Sequence, residues 1–348
     1  MTSAQRVAPG VTDRMLTWAG DVAGLRPPVA VERIGGGRSN LTFLLTGDGG
    51  RRAVLRRPPL GELLPSAHDM RREHRILHAL ASTDVPVPQV LGLSEDDTLC
   101  EHPFYVMAHV DGLVVDSAAA AGLLDPAARR TAGEQLAQAL ARLHRVDVDA
   151  VGLGDLGRRT GYAERQLRRW QAQWERTRDG RPSSLDRTAE RLHAAGPGEP
   201  PRPTLVHGDF NLANVVVDDD GRVLAVLDWE LCTIGHPLAD LGTLLTYWPE
   251  EVTQSTLERD PVPLLPGFPD RAGIVAAYAA VNGELDLQDL DLWVALASWK
   301  LAIIMQGVHR RWLEDPANGG RDAGSVEAAV GRLADLAEAA LDRHDARR

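Results

Sequence analysis

The chain has 348 residues, 44% of them hydrophobic and 25% charged, with a net charge of −11 at pH 7. That length supports two lobes or domains with separate cores, and the acidic balance argues against nucleic acid or an anionic membrane as a partner, because phosphate-rich surfaces select basic faces. Two cysteines far apart, Cys100 and Cys232, make no disulfide framework, no secretory leader pattern is present, and apolar runs break well short of ~20 residues; a reducing, cytoplasmic setting without a membrane span is expected.

In chain order, Asp13–Ala23 reads as a short helix that stops near Gly24 and the Pro27-Pro28 pair, and residues 1–28 stand as an N-terminal helical extension of unknown role. Residues 29–34 and 41–46 read as strands around the turn Gly35-Gly-Gly-Arg-Ser-Asn40. A third strand, Arg52–Arg57, ends at Pro58-Pro59, and alternation along it puts only one of Arg56 and Arg57 on the inner face. Residues 69–80 carry Met70, Ile76, Leu77 and Leu80 at helical spacing, with Glu73 in the first turns. An extended linker over 85–92 leads to an apolar strand over 104–110, closed by Asp111-Gly112.

The pattern then turns helical. Leu136, Leu140 and Leu143 form one stripe, which His144 closes as a capping or core residue. A second amphipathic stretch over 158–178 carries Trp170 and Trp174, and residues 196–203 are a stiff Pro-rich loop. Residues 235–242 open another helix; 271–314 and 325–344 read as closing helices, with Lys300 on an apolar stripe as a snorkelling side chain.

The densest chemistry lies in Leu205-Val-His-Gly-Asp-Phe-Asn-Leu-Ala-Asn214, followed by Leu227-Asp-Trp-Glu230. Between them, two β-branched runs flank Asp220-Gly221, a hairpin signal that would set Asn214 nearly opposite Asp228. A carboxylate with an amide five residues on, then a strand-end carboxylate, is the order of groups a phosphoryl-transfer centre uses: one base and two holders of magnesium. With His-Gly-Asp in place of His-Arg-Asp and Asp-Trp-Glu in place of Asp-Phe-Gly, the chain resembles the aminoglycoside phosphotransferase and choline-kinase-like small-molecule kinases. More narrowly, it is similar to the kinase-like domain associated with acyl-CoA dehydrogenases.

The resemblance implies an α+β, two-lobed protein-kinase-like fold, with a small β-rich N-lobe over 29–110 and a larger, mostly helical C-lobe over 111–348. It implies an ATP- and Mg2+-dependent phosphotransferase, with GTP as the alternative nucleotide, acting on the hydroxyl of a small molecule. Asp209 would be the base, and Asn214 and Asp228 would hold magnesium. Gly36, Gly37, Ser39 and Asn40 would cover the phosphates. Arg56 stands where the family carries a lysine, a role that its permanent charge and bidentate fork suit, and Glu73 would pair with it. Met107, Ala108, His109 and Val110 would form the hinge against the adenine ring. Among the supporting residues His207, Glu230 and Asp240, the last would brace the catalytic loop; Glu230 either assists the metal or orients the loop. For the acceptor, an aminoglycoside needs several converging carboxylates, whereas a hydroxyacyl-CoA or other metabolite needs basic residues and an apolar channel. Arg165, Arg168, Arg169, Lys300, Arg310 and Arg311 tilt the reading toward the metabolite. A nucleotide-binding pseudokinase or scaffold is the alternative of another class, and the intact Asp209, Asn214 and Asp228 set speaks against it.

Overall fold

A computed structural model describes residues 8–35, 40–61, 68–178, 183–200, 202–252, 261–283, 285–314 and 323–348. The chain divides into two compact units, Met1–Asp111 with Leu224–Glu230 and Gly112–Val223 with Leu231–Arg348.

The small unit is built on an antiparallel sheet. Its strands are β1 (Arg26–Ile34), β2 (Leu41–Asp48), β3 (Arg52–Arg57), β4 (Val90–Ser94) and β5 (Phe104–Ala108), in the order β1-β2-β3-β5-β4. Helix α1 (Asp13–Ala23) starts where the Thr12 hydroxyl accepts the Met15 N–H and stops at Gly24, whose φ of 61° few other residues adopt. The apolar face of α1, with Met15, Leu16, Ala19 and Ala23, shares one core with Phe43, Leu45, Ala53, Leu55, Phe104 and Val106 of the sheet. The approach is close enough that a Cβ on Gly92 of β4 would fall 2.7 Å from Val22 Cγ1. A boundary at residue 28 therefore does not survive: α1 is not an extension but one wall of the small unit's core, because its apolar stripe leaves water by packing on the sheet. The segment Leu224–Glu230 also belongs to this unit, where the Val226 N–H donates to the Pro86 carbonyl at 2.8 Å.

Strand pleating sorts the sheet's residues between two faces. Leu55 and Arg57 point toward the α1 side, and Val54 and Arg56 toward helix α2 (Met70–Leu80), which Asp69 caps by accepting the Arg72 N–H.

The large unit holds β6 (Leu113–Val114), α3 (Ala118–Ala121), α4 (Pro126–Arg145), α5 (Tyr162–Thr177), α6 (Ser184–Ala195), β7 (Thr204–Val206) and β8 (Val215–Val217). After β9 (Val223–Val226), whose first residue lies in this unit, come β10 (Thr233–Gly235), α7 (Pro237–Thr246), α8 (Arg271–Val281), α9 (Leu290–Glu314) and α10 (Ala323–Ala346). Strands β6 and β8 pair antiparallel, as do β7 and β10. The expected turn is in place: the Asp218 N–H donates to the Arg222 carbonyl, and Gly221 takes a φ of 80°. The expected helix over 271–314 is two, interrupted after Asn282.

Helix α9 packs against α5, α6, α7 and α10. Its stretch Leu290–Arg311 is long and apolar enough to cross a membrane by length and composition, and 67% of its most apolar window is buried inside the protein. It is apolar on nearly all sides because it is surrounded by helices.

Candidate functional site

In the large unit, β7 delivers the loop His207-Gly208-Asp209. Gly208 has a φ of +90°, and a Cβ there would lie 2.9 Å from Leu231 Cβ and 3.1 Å from its carbonyl oxygen, so only glycine fits the bend. Asp240, in the first turn of α7, accepts the backbone N–H groups of His207 at 2.5 Å and Gly208 at 2.8 Å. Its other contact is His144 Nε2 at 3.4 Å, and His144 Nδ1 meets the Tyr278 hydroxyl at 2.7 Å. Burial would push the Asp240 carboxyl up, yet His144, His207 and the Gly208 N–H together hold it below the usual carboxylate range. It is thus a fixed anion under two backbone donors of the loop.

Asp209 itself is held at both oxygens. Asn214 Nδ2 donates to Oδ2 at 3.2 Å and to the Asp209 carbonyl at 2.8 Å, and the Tyr247 hydroxyl donates to Oδ1 at 3.2 Å. Burial, then the neighbouring Asp209, pushes the Tyr247 phenol well above its ordinary value, so it stays a donor. Asn211 caps the one-turn 3-10 segment Leu212–Asn214 by accepting the Ala213 N–H, which sets Asn214 back toward Asp209. With the amide nitrogen of Asn214 committed to Asp209, its oxygen is the end suited to a cation.

Asp209 and Asn214 form part of the wall of a cavity of about 400 Å³. Among the described residues the rest is largely apolar: Leu212, Leu244, Trp248, Val262, Leu301, Ile304 and Met305 contribute, and Asp116 is the other carboxylate. None of the six basic residues singled out from the sequence lines it. Arg165 donates to the Thr160 and Arg158 carbonyls, Arg168 pairs with Glu164, and Lys300 donates to the Gly208 carbonyl, so their charges are spent locally.

In the small unit, Arg56 sits between two carboxylates. Its Nε lies 3.0 Å from a Glu73 oxygen and its Nη2 lies 2.5 Å from Asp228 Oδ1. Burial alone would lower the guanidinium's pKa, but Glu73, Tyr105 and Asp228 raise it further from neutrality. Glu73 is pushed up to about 6, first by burial and against the pull of Arg56. The choice between the two strand arginines is resolved in geometry: Arg57 lies on the opposite face, where Nη1 donates to the Gly10 carbonyl at 2.5 Å and Nε to the Pro58 carbonyl at 3.1 Å. It is a buried strut, not a solvated edge charge.

Asp228 has a φ of +62°, a left-handed conformation that costs a non-glycine residue on the order of 1 kcal/mol or more and collects at functional sites. The following Trp229 is buried and donates its indole N–H to the Val226 carbonyl at 2.9 Å, pinning the turn. Glu230 accepts from Asn40 Nδ2 at 3.0 Å, and Asn40 Oδ1 meets His68 Nδ1 at 2.9 Å. Both ends of the Asn40 amide are therefore engaged by protein groups, and Glu230 has an orienting contact. Gly36, Gly37 and Ser39 lie outside the described residues. Met107 and Ala108 lie on β5 opposite Val54 and Ala53, the Ala108 N–H donates to the Gln89 carbonyl, and His109 Nδ1 lies 3.2 Å from Asp111. Val110 follows beyond the strand end.

Among the described residues no cluster of three or more His, Cys, Asp or Glu could hold a metal by itself. The Asp228 carboxylate in the small unit and the Asn214 amide oxygen in the large unit are each oxygen donors of the kind a hard cation takes.

Tyr247, His144 and the loop contact of Lys300 were not legible as site features. A helix-end tyrosine and a lysine on an apolar stripe carry no spacing signal that points to a loop 38 and 92 residues away, nor does a helix-end histidine point to Asp240, 96 residues on.

A braced His-Gly-Asp loop in the helical unit, and a buried strand arginine paired with a helix glutamate beneath the sheet in the other, define a kinase-like fold of the phosphotransferase type. The phosphotransferase enzyme family model matches residues 30–262, and the chain belongs to that family. It is similar to the structure of a candidate aminoglycoside phosphotransferase from Ralstonia eutropha JMP134, with 29% identity, a TM-score of 0.76, and coverage of 96% of this chain and 98% of the other. It is 33% identical over 314 residues to acyl-CoA dehydrogenase family member 10 of Mus musculus, covering 88% of this chain but only 29% of that much longer protein. At 16% identity and a TM-score of 0.60, it shares the fold of a thermostable aminoglycoside phosphotransferase APH(4)-Ia mutant in ternary complex with AMP-PNP and hygromycin B, covering 94% and 98%.

Proposed function

We propose that the chain is an ATP- and Mg2+-dependent phosphotransferase that moves the γ-phosphoryl group to a hydroxyl of a small molecule with a largely apolar, uncharged body. The observation that carries this reading is the Asp209 carboxylate, fixed by Asn214 and Tyr247 on the wall of an apolar cavity. A hydroxyl presented in that cavity would donate its proton to Asp209 as its oxygen attacks phosphorus. When bound, the magnesium nucleotide supplies the phosphoryl group and neutralises the charge on its leaving oxygens. The nucleotide complex of the distant structural neighbour supports the same cofactor class. In this scheme Arg56, locked between Glu73 and Asp228, presents its remaining nitrogen to the phosphates, while Asp228 and Asn214 offer oxygens to magnesium.

The cavity favours a metabolite over an aminoglycoside. A polycationic sugar calls for several carboxylates, whereas among the described residues this wall supplies Asp116 and Asp209 amid apolar side chains. Among the described residues the wall carries no arginine or lysine for phosphate groups of a carrier, so on those residues a hydroxyacyl-CoA would place only its acyl part here.

The test is an ATP-consumption screen over hydroxylated metabolites and aminoglycosides, with magnesium omitted as the control. Asp209→Asn should bind nucleotide like the parent and turn over about 10²-fold or more slower, the range for a lost general base. Consumption that ignores Asp209, or a preference for aminoglycosides across the panel, would overturn the corresponding half of the proposal.

A further inference from the structure

We infer that Lys300 is a positioning residue for phosphoryl transfer: from α9 its ammonium holds the Gly208 carbonyl and so sets the peptide unit that carries Asp209. The inference rests on reading Asp209 as the base. Lys300 Nζ donates to the Gly208 oxygen at 3.0 Å. That carbonyl shares its peptide plane with the Asp209 N–H, which in turn donates to His207 Nδ1 at 3.3 Å. The preceding peptide plane is gripped from the opposite sense, by the Asp240 carboxylate on the Gly208 N–H. Gly208 thus has an anion on its donor and a cation on its acceptor. Two charge-assisted bonds to one residue, each roughly twice as strong as a neutral one, define its φ of +90° far better than a glycine would alone.

The surroundings of the ammonium are built for this contact and leave it little other choice. Lys300 lies beside the Trp170 ring, 5.7 Å from its centre, in a recess of about 20 Å³ shared with Tyr162, Gln166, Asp240 and Thr243. That is room for about one water molecule. The charged and titratable groups facing it are Asp209 from the loop, Asp240 from α7, and Arg169 and Tyr162 from α5. Burial lowers the lysine's pKa, and Asp209 and Asp240 oppose the shift. A lysine that merely snorkelled would reach solvent with its head group; this one turns inward to a backbone oxygen.

Intrinsic ATP hydrolysis by the full chain reads the effect without knowing the acceptor. Lys300→Met should lower kcat by about 10- to 100-fold, the scale on which a misplacement of about 1 Å acts, with the KM for ATP within about twofold of the parent. Lys300→Arg, which keeps the charge, should restore a large part of it. The parent should lose activity at alkaline pH as the ammonium deprotonates, at a lower pH than an ordinary lysine, and that limb should vanish in Lys300→Arg. Independently of turnover, the Asp209 amide resonance should move with the same alkaline titration in the parent and stay fixed in Lys300→Met. An unmoved resonance, or Lys300→Met hydrolysing like the parent, overturns the inference. If Asp209→Asn hydrolyses ATP normally while the resonance still follows Lys300, the failure belongs to the role of Asp209 and the loop contact stands.

Discussion

The two units hold their functional groups in different ways. In the large unit the loop bearing Asp209 is fixed through its backbone: Asp240 takes two N–H groups, Lys300 donates to a carbonyl, and only then do Asn214 and Tyr247 address the carboxylate itself. In the small unit the groups hold one another by side chain alone, Glu73 to Arg56 to Asp228. A backbone brace fixes where a residue is while leaving its side chain to act, which suits a proton acceptor. A side-chain relay couples charge states, which suits groups that meet a phosphate and a cation.

Several substitutions would break or sharpen this contrast. The largest effect is expected from Asp228→Ala, which removes both the oxygen proposed for magnesium and the anchor of Arg56: magnesium-dependent nucleotide binding should be abolished in titration calorimetry. Unchanged affinity with unchanged magnesium dependence would separate Asp228 from the nucleotide. Next comes Asp240→Ala, which strands the buried N–H of His207 and the part-buried N–H of Gly208. Stability should fall by about 3 kcal/mol in urea unfolding, and turnover should fall by about 10²-fold through the displaced loop, with nucleotide affinity little altered. A loss of affinity matching the loss of turnover would mean that the brace supports nucleotide binding as well as turnover.

For the relay, Arg56→Ala should weaken nucleotide binding and Arg56→Lys should retain part of it, since lysine keeps the charge and loses the fork. Arg57→Ala, on the opposite face, should leave binding intact but cost stability, because its bonds to Gly10 and Pro58 are structural. Equal binding by both alanine variants would remove the strand arginine from the phosphates.

The smallest effect concerns Glu73. Its folded pKa, pushed up to about 6 by burial, lies above the unfolded value of 4.5. The stability tied to its protonated form is therefore fully present below pH 4.5 and is lost as pH rises through about 6. The parent should lose roughly 2 kcal/mol across that window relative to Glu73→Gln. Unfolding curves of the two proteins that run parallel between pH 4 and 7 would show that Glu73 is not buried against its charge.

How much of this was legible follows from how far each signal reaches. The α1 cap at Gly24, the Asp220-Gly221 turn and the Asp209-to-Asn214 spacing are local, decided by residues within a turn of one another, and the structure has them where the sequence put them. The choice between Arg56 and Arg57 needed the sheet's facing, and the structure aims Arg56 at Glu73 on α2. Helix α1 as part of the small unit's core, and the inward turn of Lys300, depended on which apolar surface each helix met.

By itself, then, the sequence determined the order of chemical groups along the chain, the turns that glycine and asparagine demand, and the membership of a phosphotransferase family. Tertiary structure alone decided which side chains gather around the His207-Gly208-Asp209 loop. His144, Asp240, Tyr247 and Lys300 come from α4, the α7 region and α9, and they converge because a buried peptide group must find a partner wherever packing places one. Backbone hydrogen bonds to side chains leave no periodicity in sequence, since the acceptor or donor on the loop side is the same for every residue type.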